Sequence, residues 1–198
     1  MCRTITYEPD YFFTTDKIKL SESQRNELTE NSSVLEEPKI AHDAEEYLQI
    51  SMGALRMAQE HPANEGVQFT KLYPKYVPYF ASLLHRDAIK YYVHSIMGIC
   101  YPNGYFAPHA DSRIYGPFRQ SVVNIVVSPY DPDKWKPLTL YKPDGTTLEV
   151  PFCDAYAINT DKVHGFENNE YKRVSVQMSF TCDLNTLYNL EQSNRLFK

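Results

Sequence analysis

The chain has little of what a stapled or metal-ribbon scaffold needs. Its four cysteines, Cys2, Cys100, Cys153 and Cys182, are widely spaced in 198 residues and form no Cys-x-x-Cys pair. That pattern points to reduced thiols rather than a disulfide or zinc framework. Excess positive charge is missing as well. A formal net charge of -5 leaves no global basic footprint for a phosphate backbone, so nucleic acid is not an expected partner. Residues 1–10 hold no apolar core suited to a signal peptide, and no later run approaches the length of a membrane span. A soluble, cytoplasmic protein is the expectation. There is no internal repeat and no low-complexity tract.

What remains is long enough to bury a full core as a single domain, residues 1–198. Ser21 to Leu28 reads as a short helix and Ser32 to Pro38 as a loop. Ala41 to Glu60 reads as an amphipathic helix ended by His61-Pro62, with Leu48, Met52, Leu55 and Met57 on its apolar side. Pro78 to Tyr92 repeats apolar residues at helical intervals and predicts a second helix. From His94 onward the pattern changes to strands separated by Pro, Gly and Asp. Ser121 to Val127 predicts a buried strand, and Thr139 to Val150 a hairpin around Asp144-Gly145. Helices first and strands after give an α+β layout. Residues 1–93 are expected to be a mainly helical support, 94–182 the core, and 183–198 a dispensable tail or closing helix.

The chemistry sits in the strand-rich half. His109, Asp111 and His164 are followed by Arg173 and Ser175. Two imidazoles and a carboxylate make a three-point face for an octahedral divalent ion and leave three positions open. With six His and eleven Asp in the chain, one chance His-x-Asp is about a one-in-three event, so the tripeptide means little by itself. The chain carries a decoy of the same spacing, His85-Arg86-Asp87. On a helix, residues two apart point about 200° from each other, so that pair is not expected to close on a metal. Around His109, Pro102, Gly104 and Pro108 break any helix, and in extended chain residues two apart share a face. His164 follows the strand-like run Asp154 to Thr160 and a turn at Asp161-Lys162, a position held by sheet yet accessible.

Arg173 to Phe180 alternates without a break. Arg173, Ser175, Gln177 and Ser179 form one face, and Val174, Val176, Met178 and Phe180 the other. Alone, such a strand turns its polar face to water. Joined to the His-x-Asp and the second His, the polar face becomes a candidate lining for the mouth of a small barrel, with the Arg173 fork and the Ser175 hydroxyl ready to take a carboxylate.

In order and spacing, His109-x-Asp111, His164 and Arg173-x-Ser175 resemble the Fe(II)- and 2-oxoglutarate-dependent oxygenase superfamily. The run Cys100 to Asp111, with a Tyr and a Gly just before the His-x-Asp, is most similar to the prolyl hydroxylase branch. Placing an arginine nine residues after His164 resembles the oxygen-sensing members more than the collagen type, which uses lysine. The match covers roughly residues 94 to 181. It implies a double-stranded β-helix, a jelly-roll of the cupin-like kind, supported by the N-terminal helices. It implies Fe(II) held by His109, Asp111 and His164, 2-oxoglutarate held by Arg173 and Ser175, and dioxygen as co-reactant, with ascorbate as a supporting reductant. The implied reaction is hydroxylation with release of succinate and carbon dioxide. The carboxylate at Asp111 fits hydroxylation rather than halogenation.

Further candidates follow from the same resemblance and from position. Tyr101 resembles the tyrosine that bonds 2-oxoglutarate in prolyl hydroxylases, against a packing role. Asn124 interrupts an apolar strand and either faces the cavity or is a satisfied core amide. Arg113 and Arg119, in the loop after Asp111, are candidates for a substrate carboxylate or peptide backbone, against solvated charges. Trp135 lies in a Pro-rich segment read as a flap, where it covers substrate or anchors the loop. The expected substrate is a polypeptide residue such as proline, with a free amino acid or small metabolite as the alternative. A jelly-roll module that binds a metal or an oxo-acid without turnover is the alternative of another class.

Overall fold

The computed structural model describes residues 6–32, 65–111 and 119–198. The expected helix Ala41 to Glu60 and the site candidate Arg113 lie outside them. The described chain forms ten antiparallel strands in one curled sheet. They are β1 (Tyr7–Glu8), β2 (Phe12–Thr15), β3 (Glu65–Lys71), β4 (Tyr92–His109), β5 (Ser121–Ser128), β6 (Thr139–Tyr141), β7 (Thr147–Glu149), β8 (Ala155–Asn159), β9 (His164–Glu167) and β10 (Arg173–Phe180). The order is β1-β2-β8-β5-β10-β4-β9-β6-β7, with β3 also on β4.

The 18-residue β4 makes this a jelly-roll. Its first half pairs with β10, Cys100 opposite Arg173, while its second half pairs with β9, His109 opposite His164. One strand therefore belongs to both a larger sheet (β2-β8-β5-β10-β4) and a smaller one (β4-β9-β6-β7), and the space between them is the barrel interior. The bend falls at Asn103, whose φ is 59°, and at Gly104. A Cβ on Gly104 would lie 2.6 Å from the Cys100 sulfur and 2.8 Å from the Glu65 carbonyl oxygen, so only glycine lets the backbones pass this closely.

Alternation in β5 and β10 sorts side chains between two cores. Val123, Ile125 and Val127, with Val174, Val176, Met178 and Phe180, pack outward against α1 (Glu22–Asn31), α2 (Tyr76–Leu83) and α4 (Leu184–Gln192), meeting Leu28, Phe80, Leu184 and Leu187. Each such buried side chain contributes about 1.5–3 kcal/mol. Val122 and Val126 instead join Tyr156, Ile158, Trp135, Leu138 and Leu140 in a second core between the sheets. The hairpin β6-β7 turns at Gly145, φ 84°, as its Asp-Gly predicts. No helix among the described residues is long and apolar enough to cross a membrane.

Helix α1 begins as expected, with Ser21 and Gln24 closing a reciprocal capping box. It docks through Arg25, which lies 3.5 Å over the Tyr130 ring and 3.7 Å from the Asp154 carboxylate. Other parts of the N-terminal half differ from the reading. Phe12 to Thr15 is a buried strand on β8, and Glu65 to Lys71 a strand on β4; both are specified by partners far away in sequence. The helix expected over Pro78 to Tyr92 is broken. Leu84 is extended (ψ 137°) because it bridges Phe197, and His85 N–H donates to the Leu196 carbonyl at 3.0 Å; α3 (Arg86–Ile89) restarts after His85. The chain end is wedged between the two helical pieces.

That wedge also corrects the expectation of a dispensable tail. Asp183 caps α4 by accepting from Thr186 N–H, and Leu184, Leu187, Leu196 and Phe197 are buried in the main core. Leu187→Ala is expected to cost about 2–5 kcal/mol of stability, read as a lowered urea midpoint with an unchanged slope. A change below about 0.5 kcal/mol would return the segment to the status of a tail.

Candidate functional site

Strand pairing brings the ligand set together. His109 ends β4 and His164 begins β9, directly across the ladder, so two imidazoles 55 positions apart have ring centroids 4.5 Å apart. Asp111 follows His109 by two residues, fixed by its N–H donating to the Thr160 carbonyl at 2.8 Å. The Asp111 Oδ1 lies 3.2 Å from His109 Nε2 and 3.9 Å from His164 Nε2. One ligand atom from each residue falls within 4.8 Å of the others.

Each ring is committed by its other nitrogen. His109 Nδ1 donates to the Ala107 carbonyl and His164 Nδ1 to the Lys162 carbonyl, both at 2.8 Å. A carbonyl only accepts, so the proton is on Nδ1 and a lone pair remains on Nε2, the tautomer a metal needs. Burial pushes His164 down to about 4, which keeps its imidazole neutral near pH 7. Burial alone would raise the Asp111 carboxyl, but the Arg119 guanidinium beside it holds it well below the usual carboxylate range. Its Oδ2 is buried 3.1 Å from Arg119 Nε yet accepts no aligned hydrogen bond. Two Nε2 lone pairs converging on an ionised, under-bonded carboxylate fit a divalent cation.

These residues open onto one cleft between the sheets, with free space of about 650 Å³ including its mouth. Arg173, Ser175 and Gln177 line it from β10, as the alternation predicts, and Asn124 joins them from β5. Gly98, opposite Ser175, keeps the floor clear; a Cβ there would come within 3.2 Å of the Ser175 oxygen and of Gln177 Nε2.

Arg173 is 4 % exposed. Its guanidinium lies 3.8 Å from the Trp135 ring and 4.2 Å from the Phe166 ring, donates to the Lys136 carbonyl at 2.6 Å and to the Tyr156 hydroxyl at 3.2 Å. Burial lowers its pKa from the ordinary value, but a guanidinium stays charged in proteins. No carboxylate of the described residues forms an ion pair with it. A buried cation with only neutral partners is a site for an anion.

Other candidates are placed differently. Tyr101 is 40 % exposed, and its hydroxyl donates to Gln68 at 3.2 Å outside the cleft lining. Trp135 is buried, because it stacks on Arg173 rather than covering the mouth. Arg119 is no solvated charge; it is buried against Asp111 and donates to Gln177 Oε1 at 2.7 Å. Tyr156, unnoticed in sequence, lines the cleft, and its signal was a large phenol between Ala155 and Ala157 on an alternating strand.

The decoy pair is closer than helix geometry implies. His85 caps α3 instead of lying within a helix, so its Nδ1 accepts from Asp87 N–H at 3.2 Å and sits 3.4 Å from the carboxylate. Asp87 is taken by Arg195 at 2.6 Å, and the pair has no third ligand in the described residues. His85→Ala and Asp87→Ala are expected to leave ferrous-ion affinity unchanged in a calorimetric titration.

No protein-family model matches the sequence, and no curated protein matches it. Similar solved structures include a prolyl-4-hydroxylase of Pseudomonas putida, at 14% identity and TM-score 0.46, over 79% of this chain and 97% of that one. Another is a prolyl hydroxylase of Trichoplax adhaerens in complex with a hypoxia inducible factor peptide fragment, at 13% and 0.43, over 84% and 95%. A third is a 2OG-Fe(II) oxygenase family oxidoreductase of Burkholderia pseudomallei, at 9% and 0.39, over 47% and 45%. At such distances, the side chains of the cleft itself carry the function.

Proposed function

We propose that this chain is a non-haem Fe(II)- and 2-oxoglutarate-dependent oxygenase that hydroxylates a protein side chain such as proline. The observation that supports this most is the sharing of one cleft by the buried His109, Asp111 and His164 cluster and by Arg173, a buried cation with only neutral partners. Bound together, ferrous ion and 2-oxoglutarate supply an oxidant from dioxygen, releasing succinate and carbon dioxide. His109, Asp111 and His164 would hold the metal, each through one ligand atom. Arg119 keeps Asp111 ionised and oriented. Arg173 and Ser175 receive the distal carboxylate, while Phe106, Phe166 and Ile158 give the cleft apolar walls that exclude water.

A polypeptide substrate is supported by the Tyr101 to Asp111 resemblance and by the acidic charge balance, which disfavours a phosphate backbone. The test offers proline-containing peptides, free proline and other amino acids, and methylated single-stranded DNA with 2-oxoglutarate, ferrous ion and ascorbate under air. Succinate formation and a mass gain of one oxygen on a peptide are expected. Oxidation confined to free amino acids overturns the peptide reading, and loss of methyl from DNA overturns the charge argument. No succinate with any substrate, despite metal and oxo-acid binding, leaves a binding module.

A further inference from the structure

We infer that Asn124 and Gln177 form an amide pair that binds the backbone N–H and C=O of one extended residue of a peptide substrate; this rests on the proposed function. The two are register partners on β5 and β10, and both line the cleft. Asn124 is 5 % exposed, yet its side-chain amide has no hydrogen-bond partner among the described residues. A buried carboxamide without partners is a standing cost to the fold, so on a cleft wall it marks a place for a polar ligand. Gln177 is half committed. Arg119 donates to its Oε1 at 2.7 Å, and because a guanidinium only donates, the oxygen is the atom that faces it. The Nε2 edge is thereby turned away from Arg119, and no acceptor among the described residues takes it. Gly98 leaves space there, since a Cβ in its place would lie 3.2 Å from that nitrogen.

Spacing selects the ligand. Side chains directly opposite on paired strands have Cβ atoms about 4.5–5.5 Å apart, so Gln177 offers a donor beside an Asn124 amide that can accept. In extended chain the N–H and C=O of one residue point to the same side, which is how antiparallel neighbours exchange two bonds. A donor and an acceptor side by side match that edge: Gln177 Nε2 meets the C=O, and Asn124 Oδ1 meets the N–H. Proline has no N–H to give, so where proline is oxidised the residue read here is one that flanks it. Gln177 stands four residues along β10 from Arg173, roughly 13 Å of extended chain, so the pair is separate from the proposed oxo-acid clamp. Through Arg119, whose Nε lies 3.1 Å from Asp111, it adjoins the metal ligands instead.

The experiment loads anaerobic protein with ferrous ion and 2-oxoglutarate and titrates three probes, followed by the relaxation that the ion imposes on their methyl protons. The probes are N-acetylalanine N-methylamide, its analogue methylated at the alanine nitrogen, and free alanine. The unaltered protein is expected to bind the first about two- to tenfold more tightly than either of the others, the range of one neutral hydrogen bond. Asn124→Leu nearly conserves volume and removes the acceptor. It is expected to weaken the first probe by the same factor and to erase its advantage over the methylated analogue. Gln177→Glu keeps an oxygen for Arg119 but loses the donor, so a loss at least as large is expected with iron affinity unchanged. Unchanged amide affinity in either variant overturns the assignment. So does an Asn124→Leu loss equal for the two amides, which marks a change of shape, or a loss of 2-oxoglutarate affinity, which moves the pair to the cosubstrate. Free alanine bound more tightly than the blocked residue overturns the peptide in favour of an amino acid. If the unaltered protein takes up no 2-oxoglutarate, the proposed function falls; if it takes up iron and 2-oxoglutarate but not the amide, this inference alone falls.

Discussion

His164→Ala is expected to lower ferrous-ion affinity by at least about a hundredfold and to abolish succinate formation. The bound is conservative, since partners one bond further from a metal are typically worth 10–100-fold. His164 is half of a cross-strand pair whose other half, His109, remains in place, so the loss reports the ligand and not the ladder. Asp111→Asn is expected to match it. That change conserves volume but removes the charge, leaving Arg119 buried beside a neutral amide, and some loss of stability should accompany it. Anaerobic titration with ferrous ion, checked by unfolding curves of both variants, separates metal loss from unfolding. A folded His164→Ala protein with unaltered iron affinity and turnover would remove the site assignment.

Arg173→Ala is expected to weaken 2-oxoglutarate binding by roughly ten- to a hundredfold, the range of a lost hydrogen bond to a charged group of about 1.5–3 kcal/mol. Iron affinity should hold, because the guanidinium bonds Lys136 and Tyr156 and no metal-ligand residue. Arg173→Lys is expected to recover only part of the loss. An ammonium keeps the charge but has neither the planar face that Trp135 and Phe166 flank nor the fork that meets a carboxylate. Unchanged affinity in the alanine variant, measured on metal-loaded protein, would take Arg173 out of the clamp.

Much of this site was legible because its residues obey a local period. The two-residue alternation of Arg173 to Phe180 specifies which side chains face the cleft and which the helices, and any strand pairing preserves that division. The same period puts His109 and Asp111 on one side of an extended chain. Ser21 with Gln24 and Asp144 with Gly145 are also local signals, and the cap and the turn formed where they stand.

Contacts between distant segments decided the rest. The pairing of His109 with His164 comes from the ladder of β4 and β9, which no spacing rule contains. The helix expected over Pro78 to Tyr92 broke because the chain end, Leu196 to Lys198, offered backbone partners at Leu83, Leu84 and His85. Trp135 reads as an exposed flap until β10 brings Arg173 beneath it, where a planar cation is worth more to an indole than water. Tyr101 and Tyr156 are equal candidates by type. Only the bend of β4 at Asn103 and Gly104 and the inward face of β8 send one to the surface and the other to the cleft. Residue type and period thus determined the ligand chemistry and the facing of each strand, while long-range pairing, which depends on the closed jelly-roll, determined which of those faces meet.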